Sequence, residues 1–296
     1  MTASNTPNRR ELVVVSGAST GMGAATAKEL AHRGFHVLAG VRREVDADAL
    51  RADGIEPHIL DVTVDAHVAG IADRIASDPH GRPLRGLVNN AGISVNAPVE
   101  TLPIAEWRQV FEVNLFGHVA MTRALLPALR RSGGTVINIS SVGGKVVLPT
   151  YGAYAGSKFA LEAVSDSLRR ELGGQGIKVV VVEPGAVKTE MSDRGIANAE
   201  RLRAAMATDD LERYGDLVAA VSEQARSFGR DGVSAEAAAK VIARVATASR
   251  PRTRYTVGRD AAILVRLARV LPDRALDRVV RLSLRSSFKS TASVGK

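Results

Sequence analysis

LVVVSGASTGMGAATAKELAHRG occupies residues 12–34. Leu12–Ser16 is an apolar, β-branched run of strand length, and Ser16–Gly23 is a glycine-rich turn. Apolar residues then recur at helical spacing to about Arg33, where Gly34 stops the helix, and His36–Gly40 reads as a second strand. Strand, turn, helix and strand make a βαβ unit. The first turn of such a unit turns backbone amides and the positive helix end toward an anion, so Gly17–Gly23 reads as a phosphate cradle. Gly17 permits the tight turn, and Gly21 and Gly23 let phosphate and sheet approach the backbone. The glycines are spaced G-x3-G-x-G rather than G-x-G-x-x-G, and a plain loop–helix junction is the alternative reading.

The alternation continues outward from this unit. Helices are expected near Asp46–Ala52, Val64–Ser77, Ile104–Arg131 (little interrupted) and Tyr151–Leu172. Strands are expected near His58–Leu60, Gly86–Asn89, Thr135–Ile139 and Lys178–Val182. Strands apolar on both faces, alternating with amphipathic helices, imply an α/β fold: a doubly wound parallel sheet with helices on both faces. Past Pro184 the regularity fails. Thr189–Gly232 carries two helical stretches, about Ala199–Ala207 and Asp210–Phe228, before a helix at Ala235–Ala248 and a strand at Arg254–Val257. The expected organisation is a flexible N-terminus (1–10), a single domain (11–258) and a basic amphipathic helical tail (259–296) packed on it. Pro272 splits the tail.

Composition narrows the function classes. With 45% apolar and 24% charged residues over 296 positions, the chain can bury a substantial core. It has no cysteine, which excludes disulfides, thiolate metal sites and a cysteine nucleophile. The six histidines are scattered, so no metal is expected. The net charge is +9, but Arg259–Lys289 holds eight basic against three acidic residues and supplies +5 of it. With an aromatic share of only 4%, no nucleic-acid partner is expected. The first ten residues are polar without an apolar signal core, and the apolar runs are too short to span a bilayer. A cytoplasmic location is expected.

Two further features suggest chemistry. NAD-preferring dinucleotide folds place an acid at the end of the second strand, but here Ala39-Gly-Val-Arg42-Arg43 has none before Glu44. Arginine pairs with a 2′-phosphate, which favours NADP, with NAD the alternative; solvated surface arginines are the bland reading. Tyr154 and Lys158 stand at i and i+4 on one helix face. An ammonium there would lower the phenol's pKa from about 10 and make it a usable acid or base for an alcohol/ketone pair. Alone, Tyr-x3-Lys is a common coincidence.

It does not stand alone. Gly17/Gly21/Gly23, Asp61-Val62, Asn89-Asn90-Ala91-Gly92, Asn114, Ser140-Ser141, Tyr154/Lys158 and Pro184-Gly185 together resemble the short-chain dehydrogenase/reductase family, from about Leu12 to Thr189 in unbroken order. The resemblance implies a Rossmann-type fold and Tyr-Lys-Ser-Asn catalysis. Ser141, thirteen residues before Tyr154, would hydrogen-bond the substrate oxygen, and Tyr154 would donate or take the proton. Lys158 would tune Tyr154 and bind the nicotinamide ribose, and Asn114 would hold a water linking Lys158 to solvent. For the cofactor it implies Gly17, Ser19, Thr20, Gly21 and Met22 at the turn and Asp61 and Val62 at adenine, while Arg42 and Arg43 depart from those relatives and would meet the 2′-phosphate by charge complementarity. Asn89, Ala91 and Gly92 would lie along the adenosine side, and Pro184, Gly185, Val187 and Thr189 at the nicotinamide. Asn90 is expected to be structural.

The details VLAGVRR, SDSLRREL and VEPGAV are similar to a branch of retinol-, steroid- and hydroxybutyrate-dehydrogenase type, implying a lipophilic alcohol or ketone as small-molecule substrate. Thr189–Gly232 falls where that family carries a helical substrate lid, and Met191, Met206, Leu211, Tyr214, Leu217 and Val218 suit one. The tail's leucine stripe is expected to pack over the substrate site or onto a partner, with peripheral membrane contact the minority reading. Helices around Val110–Leu129 and Tyr151–Leu172 are similar to those that form a dimer or tetramer interface in many members of the family, so the resemblance implies a homo-oligomer. A nucleotide sensor on the same fold is the competing class, although it needs no Asn114, Ser141, Tyr154 and Lys158 together. An epimerase or dehydratase would need a larger C-terminal domain.

Overall fold

In the computed structural model, which describes residues 11–294, β1 (Leu12–Val15) is buried along its whole length. Its side chains alternate between two cores, as the pleat requires. Val13 and Val15 pack with Ala27 and Leu30 of α1 (Gly21–His32), while Leu12 and Val14 face Val68 and Ile71 of α3 (Asp65–Ala76) and Leu125 and Leu129 of α5 (Gly117–Ser132). Between them run β2 (His36–Val41), α2 (Glu44–Leu50), β3 (Ile55–Ile59), β4 (Leu84–Asn89) and α4 (Ile104–Phe111). β5 (Thr135–Ile139), α6 (Gly152–Leu172), β6 (Lys178–Pro184), α7 (Glu190–Ala204), α8 (Thr208–Asp231), α9 (Ala235–Thr247), β7 (Arg254–Val257), α10 (Arg259–Val270) and α11 (Asp273–Val294) follow.

The seven strands form one parallel sheet in the order β3-β2-β1-β4-β5-β6-β7. This is the doubly wound sheet expected. α1 packs with α9 on one face, and α3 with α5 on the other, where α6 lies on β6. The order reverses between β1 and β4, which opens a crevice at the carboxyl ends of the strands. α5 stops at Gly133, whose left-handed φ of 63° lets the chain turn into β5.

Several boundaries differ from expectation. β3 begins at Ile55 and includes Pro57, which is tolerated because β3 is an edge strand and needs no outward ladder donor. The helical stretch after Ile104 is interrupted by a π-helical turn at Glu112–Phe116, and such turns recur at functional sites. α7 starts at Glu190 rather than near Ala199. Its first turns are polar and lack an apolar stripe, and Gly195 lets the helix approach Ser94 and Asn96. The expected flexible segment 1–10 lies outside the described residues. α11 packs along α8, where Gln224 Nε2 donates to the Ser283 carbonyl at 3.0 Å and Leu284 is buried. Among the described residues, no helix is long and apolar enough to cross a membrane.

Candidate active site

A cavity of about 650 Å³ opens above the carboxyl ends of the strands. Its floor at one end is the turn after β1. Gly17 and Gly21 have positive φ, at 63° and 55°. A Cβ on Gly17 would stand 2.7 Å from the Ala91 Cα, and one on Gly23 2.1 Å from the Gly17 carbonyl oxygen. Bare backbone is therefore obligatory. Thr20 precedes α1 in an extended conformation and no side chain caps the first-turn amides, so they remain available to a ligand anion. Asn90 Nδ2 donates to the Ser16 and Gly17 carbonyls, both at 3.0 Å, and the Ser16 hydroxyl accepts from the Asn90 and Ala91 amides. This cradle fits a dinucleotide diphosphate.

The other predicted cofactor contacts line the same cavity: Ser19, Thr20, Met22, Arg42, Asp61, Val62, Ala91, Gly92, Pro184, Gly185, Val187 and Thr189. Two predicted contacts do not. Asn89 is wholly buried, with its amide donating to Asn138 Oδ1 at 2.9 Å and Thr122 Oγ1 at 3.0 Å. It ties β4 to β5 and α5, while Asn90, expected to be structural, braces the turn and also lines the cavity. Arg43 turns out to solvent and forms a two-pronged pair with Asp46, leaving Arg42 as the arginine at the adenosine end.

At the opposite end, Ser141, Tyr154 and Lys158 converge. Ser141 caps a short 3-10 turn, its hydroxyl accepting from the Gly143 amide at 3.0 Å, and its side chain acts on the Tyr154 phenol. Lys158 Nζ lies 5.9 Å from the Tyr154 ring centroid and donates to the Ile139 carbonyl at 2.8 Å. The lysine was expected to lower the phenol's pKa. Instead, burial pushes Tyr154 up, only partly opposed by Ser141, because the ammonium is turned toward a carbonyl rather than the phenol oxygen. Burial also pushes Lys158 down to about 8, against the opposing field of Glu162. Asn114 stands behind the wall rather than in it. Its Oδ1 accepts from the Ile93 amide, and its Nδ2 donates to the Ile93 carbonyl and to Ser157. These bonds fasten the loop after β4 to α6.

Residues 11–201 match the family model described as short chain dehydrogenase. The chain belongs to this family. It is 35% identical over 280 residues to "Retinol dehydrogenase 16" of Homo sapiens, covering 92% of this chain and 88% of the relative. It is 32% identical over 274 residues to "NADPH-dependent 3-dehydrocapnine reductase" of Ornithobacterium rhinotracheale, covering 90% and 94%. A short chain dehydrogenase of Burkholderia cenocepacia, solved in complex with NADP, superposes with a TM-score of 0.70 at 26% identity, covering 92% of this chain and 98% of that one. This short chain dehydrogenase is accordingly an oxidoreductase.

The far half of the cavity is where sequence reasoning saw least. Its apolar lining includes Val142, Val146, Leu148, Met191 and Phe228, joined by Leu264, Leu276, Val279 and Val280 from α10 and α11. Of the apolar residues expected in the lid, only Met191 lines it. Leu211 is exposed, Val218 is buried within the helical layer, and Tyr214 bonds Glu100. The tail's leucine stripe was expected to pack over the substrate site or onto a partner, and here these residues line the cavity.

His118, on α5 behind the cavity, is buried, and its Nε2 donates to the Ala91 carbonyl at 2.7 Å. Burial first, then the Lys158 charge, pushes it down to about 3 from an ordinary 6.5. The unfolded chain therefore binds a proton that the native one refuses. His118's stabilising contribution is complete above pH 6.5 and is lost as pH falls toward 3. Between pH 7 and 5 the unmodified protein should lose about 1–2 kcal/mol more unfolding free energy than a His118→Gln variant. Urea titrations at both pH values check this, and parallel losses would refute it.

Proposed function

We propose that this short chain dehydrogenase uses NADP(H) to interconvert a secondary alcohol and a ketone, or an alcohol and an aldehyde, on a lipophilic small molecule. The observation that carries this is one cavity joining a glycine cradle to a Ser141–Tyr154–Lys158 cluster beneath an apolar vault. The bound nicotinamide would supply the hydride in reduction and accept it in oxidation. In reduction, the Tyr154 phenol gives its proton to the carbonyl oxygen as that oxygen gains charge, and in oxidation the phenolate takes the hydroxyl proton. The Ser141 hydroxyl donates to the same oxygen, stabilising the developing charge. Lys158, four residues on from Tyr154, holds an ammonium 5.9 Å from the Tyr154 ring and would bind the cofactor ribose. The Met191–Phe228 side and the tail helices keep water from the reacting carbon.

Oxidation of NADPH and NADH against apolar ketones and aldehydes, with isolation of the alcohol, tests this. Formation of no alcohol from any of them would sink it. Arg42 supports NADP over NAD, as does the NADPH-dependent relative. Arg42→Ala should raise KM for NADPH about 10–100-fold, the worth of a charge-assisted hydrogen bond, while NADH stays within about threefold. Equal rises for both would refute the 2′-phosphate role. We also read the chain as a homo-oligomer, since Phe116 beside α5 and Phe159 and Val164 on α6 are exposed. A monomer in sedimentation velocity would end that reading.

A further inference from the structure

Four basic side chains line the cavity among the described residues: Arg42, Lys158, Arg194 and Arg201. Three of them have places. Arg42 stands at the end of β2. Lys158 donates to the Ile139 carbonyl at the catalytic end. Arg201 lies 3.8 Å from Glu106, on the substrate side. Arg194 is different. It belongs to α7, beyond Thr189, yet its guanidinium reaches back over the cradle, with Nη2 3.4 Å from the Thr20 hydroxyl. The residue that leads into α7 also comes close to the cradle, since a Cβ on Gly21 would stand 3.1 Å from the Thr189 Cγ2. Arg194's one acidic neighbour among the ion pairs, Glu190, is 3.8 Å away, and both side chains are more than half exposed. That pair is loose and screened.

The cradle itself offers only neutral donors: backbone amides and the hydroxyls of Ser19 and Thr20. A dinucleotide diphosphate bridge carries two negative charges. The guanidinium poised over Thr20 is the cation placed to meet them, and a fork of N–H donors matches phosphate oxygens.

We propose that Arg194 is a cofactor-binding residue. It exchanges its Thr20 contact for the diphosphate bridge, so that the cofactor fastens α7, and with it the Met191 wall, over the site. This rests on the nicotinamide-dependent reading above. The diphosphate is common to NADPH and NADH, so the assignment separates Arg194 from Arg42.

The experiment is equilibrium binding of NADPH and of NADH, by nicotinamide fluorescence, to the full-length protein and to its Arg194→Ala, Arg194→Lys and Arg42→Ala variants. Hydrogen exchange of α7 amides is followed with and without NADPH. Arg194→Ala should weaken both nucleotides alike, by about tenfold, and Arg194→Lys by less, whereas Arg42→Ala weakens NADPH alone. NADPH should slow exchange along α7 in the unmodified protein and not in Arg194→Ala. Arg194 is exposed, so the alanine variant keeps the fold, and its circular dichroism confirms that. Unchanged binding of both nucleotides would overturn the proposal. Loss of NADPH binding alone would overturn it too, by moving Arg194 to the 2′-phosphate. Failure of the unmodified protein to bind either nucleotide would overturn the reading beneath it, and the assignment with it.

Discussion

Tyr154→Phe should lower kcat by about a thousandfold while NADPH binds within about twofold of the unmodified protein. The substitution removes one oxygen and keeps the ring. That ring is buried and packs edge-on against Tyr151, with centroids 6.2 Å apart. Its volume is nearly unchanged, so no cavity opens, and stability should stay within about 1 kcal/mol of the unmodified protein. The reacting oxygen, however, loses its proton donor. Tyr151 does not replace it: burial, then the neighbouring Tyr154, push its phenol up to about 12. Stopped-flow single turnovers with saturating NADPH separate the chemical step from binding. A kcat within tenfold of the original would dismiss Tyr154 as the acid.

Arg254→Leu should cost about 3–5 kcal/mol of stability at neutral pH, because it leaves buried carboxylates without their main counter-charge. Arg254, on β7, reaches Glu162 at 2.8 Å, Asp166 at 3.0 Å and Glu183 at 3.3 Å. Glu162 and Glu183 are 6% and 1% exposed, and Lys145, 2.8 Å from Glu162 and 3.8 Å from Glu183, is a second cation there. In the intact protein, burial first and then Glu162 already push Glu183 above the ordinary carboxylate range. A carboxyl with a raised native pKa takes up its proton more readily folded than unfolded. Its penalty is therefore largest at high pH and relaxes as pH falls through the native pKa. The loss in Arg254→Leu should shrink toward pH 5, and adding Glu183→Gln should recover part of it at pH 7. Urea unfolding at both pH values reads this, and a neutral-pH loss under about 1 kcal/mol would contradict it. Because Lys145 follows the Ser141 turn and Glu162 follows Lys158 by one helical turn, the same cluster holds the catalytic loop against α6.

Much of this was legible beforehand, for physical reasons. Four apolar residues before a glycine turn have one comfortable home, the central strand of a parallel sheet. Tyr154, Lys158 and Ser141 were marked by the resemblance to the family's motifs, since the Tyr-x3-Lys spacing alone is a common coincidence. Other features depend on distances that spacing does not encode. Asn89 and Asn90 are adjacent and chemically identical, but the last residue of β4 points into the sheet's back layer and the next faces the turn. Nothing in their composition says which is which. Arg42 and Arg43 divide in the same way, through the chance of an aspartate three residues on. The π-helical turn at Asn114 has no composition of its own. The phenol's raised pKa follows from where the Lys158 ammonium points, which is a matter of tertiary geometry. Glycine and polar residues hid the start of α7, and Pro57 hid most of β3.

The cavity's two ends come from opposite ends of the chain. The cradle is built within the first two dozen residues, and Leu264, Leu276, Val279 and Val280 come from the last two helices. During synthesis, the cradle can take shape before α10 and α11 exist, and their side of the cavity closes only once they are made. In descent, the same separation lets the vault drift toward new cargo by changes in α10 and α11 without disturbing the phosphate cradle or the Ser141–Tyr154–Lys158 cluster.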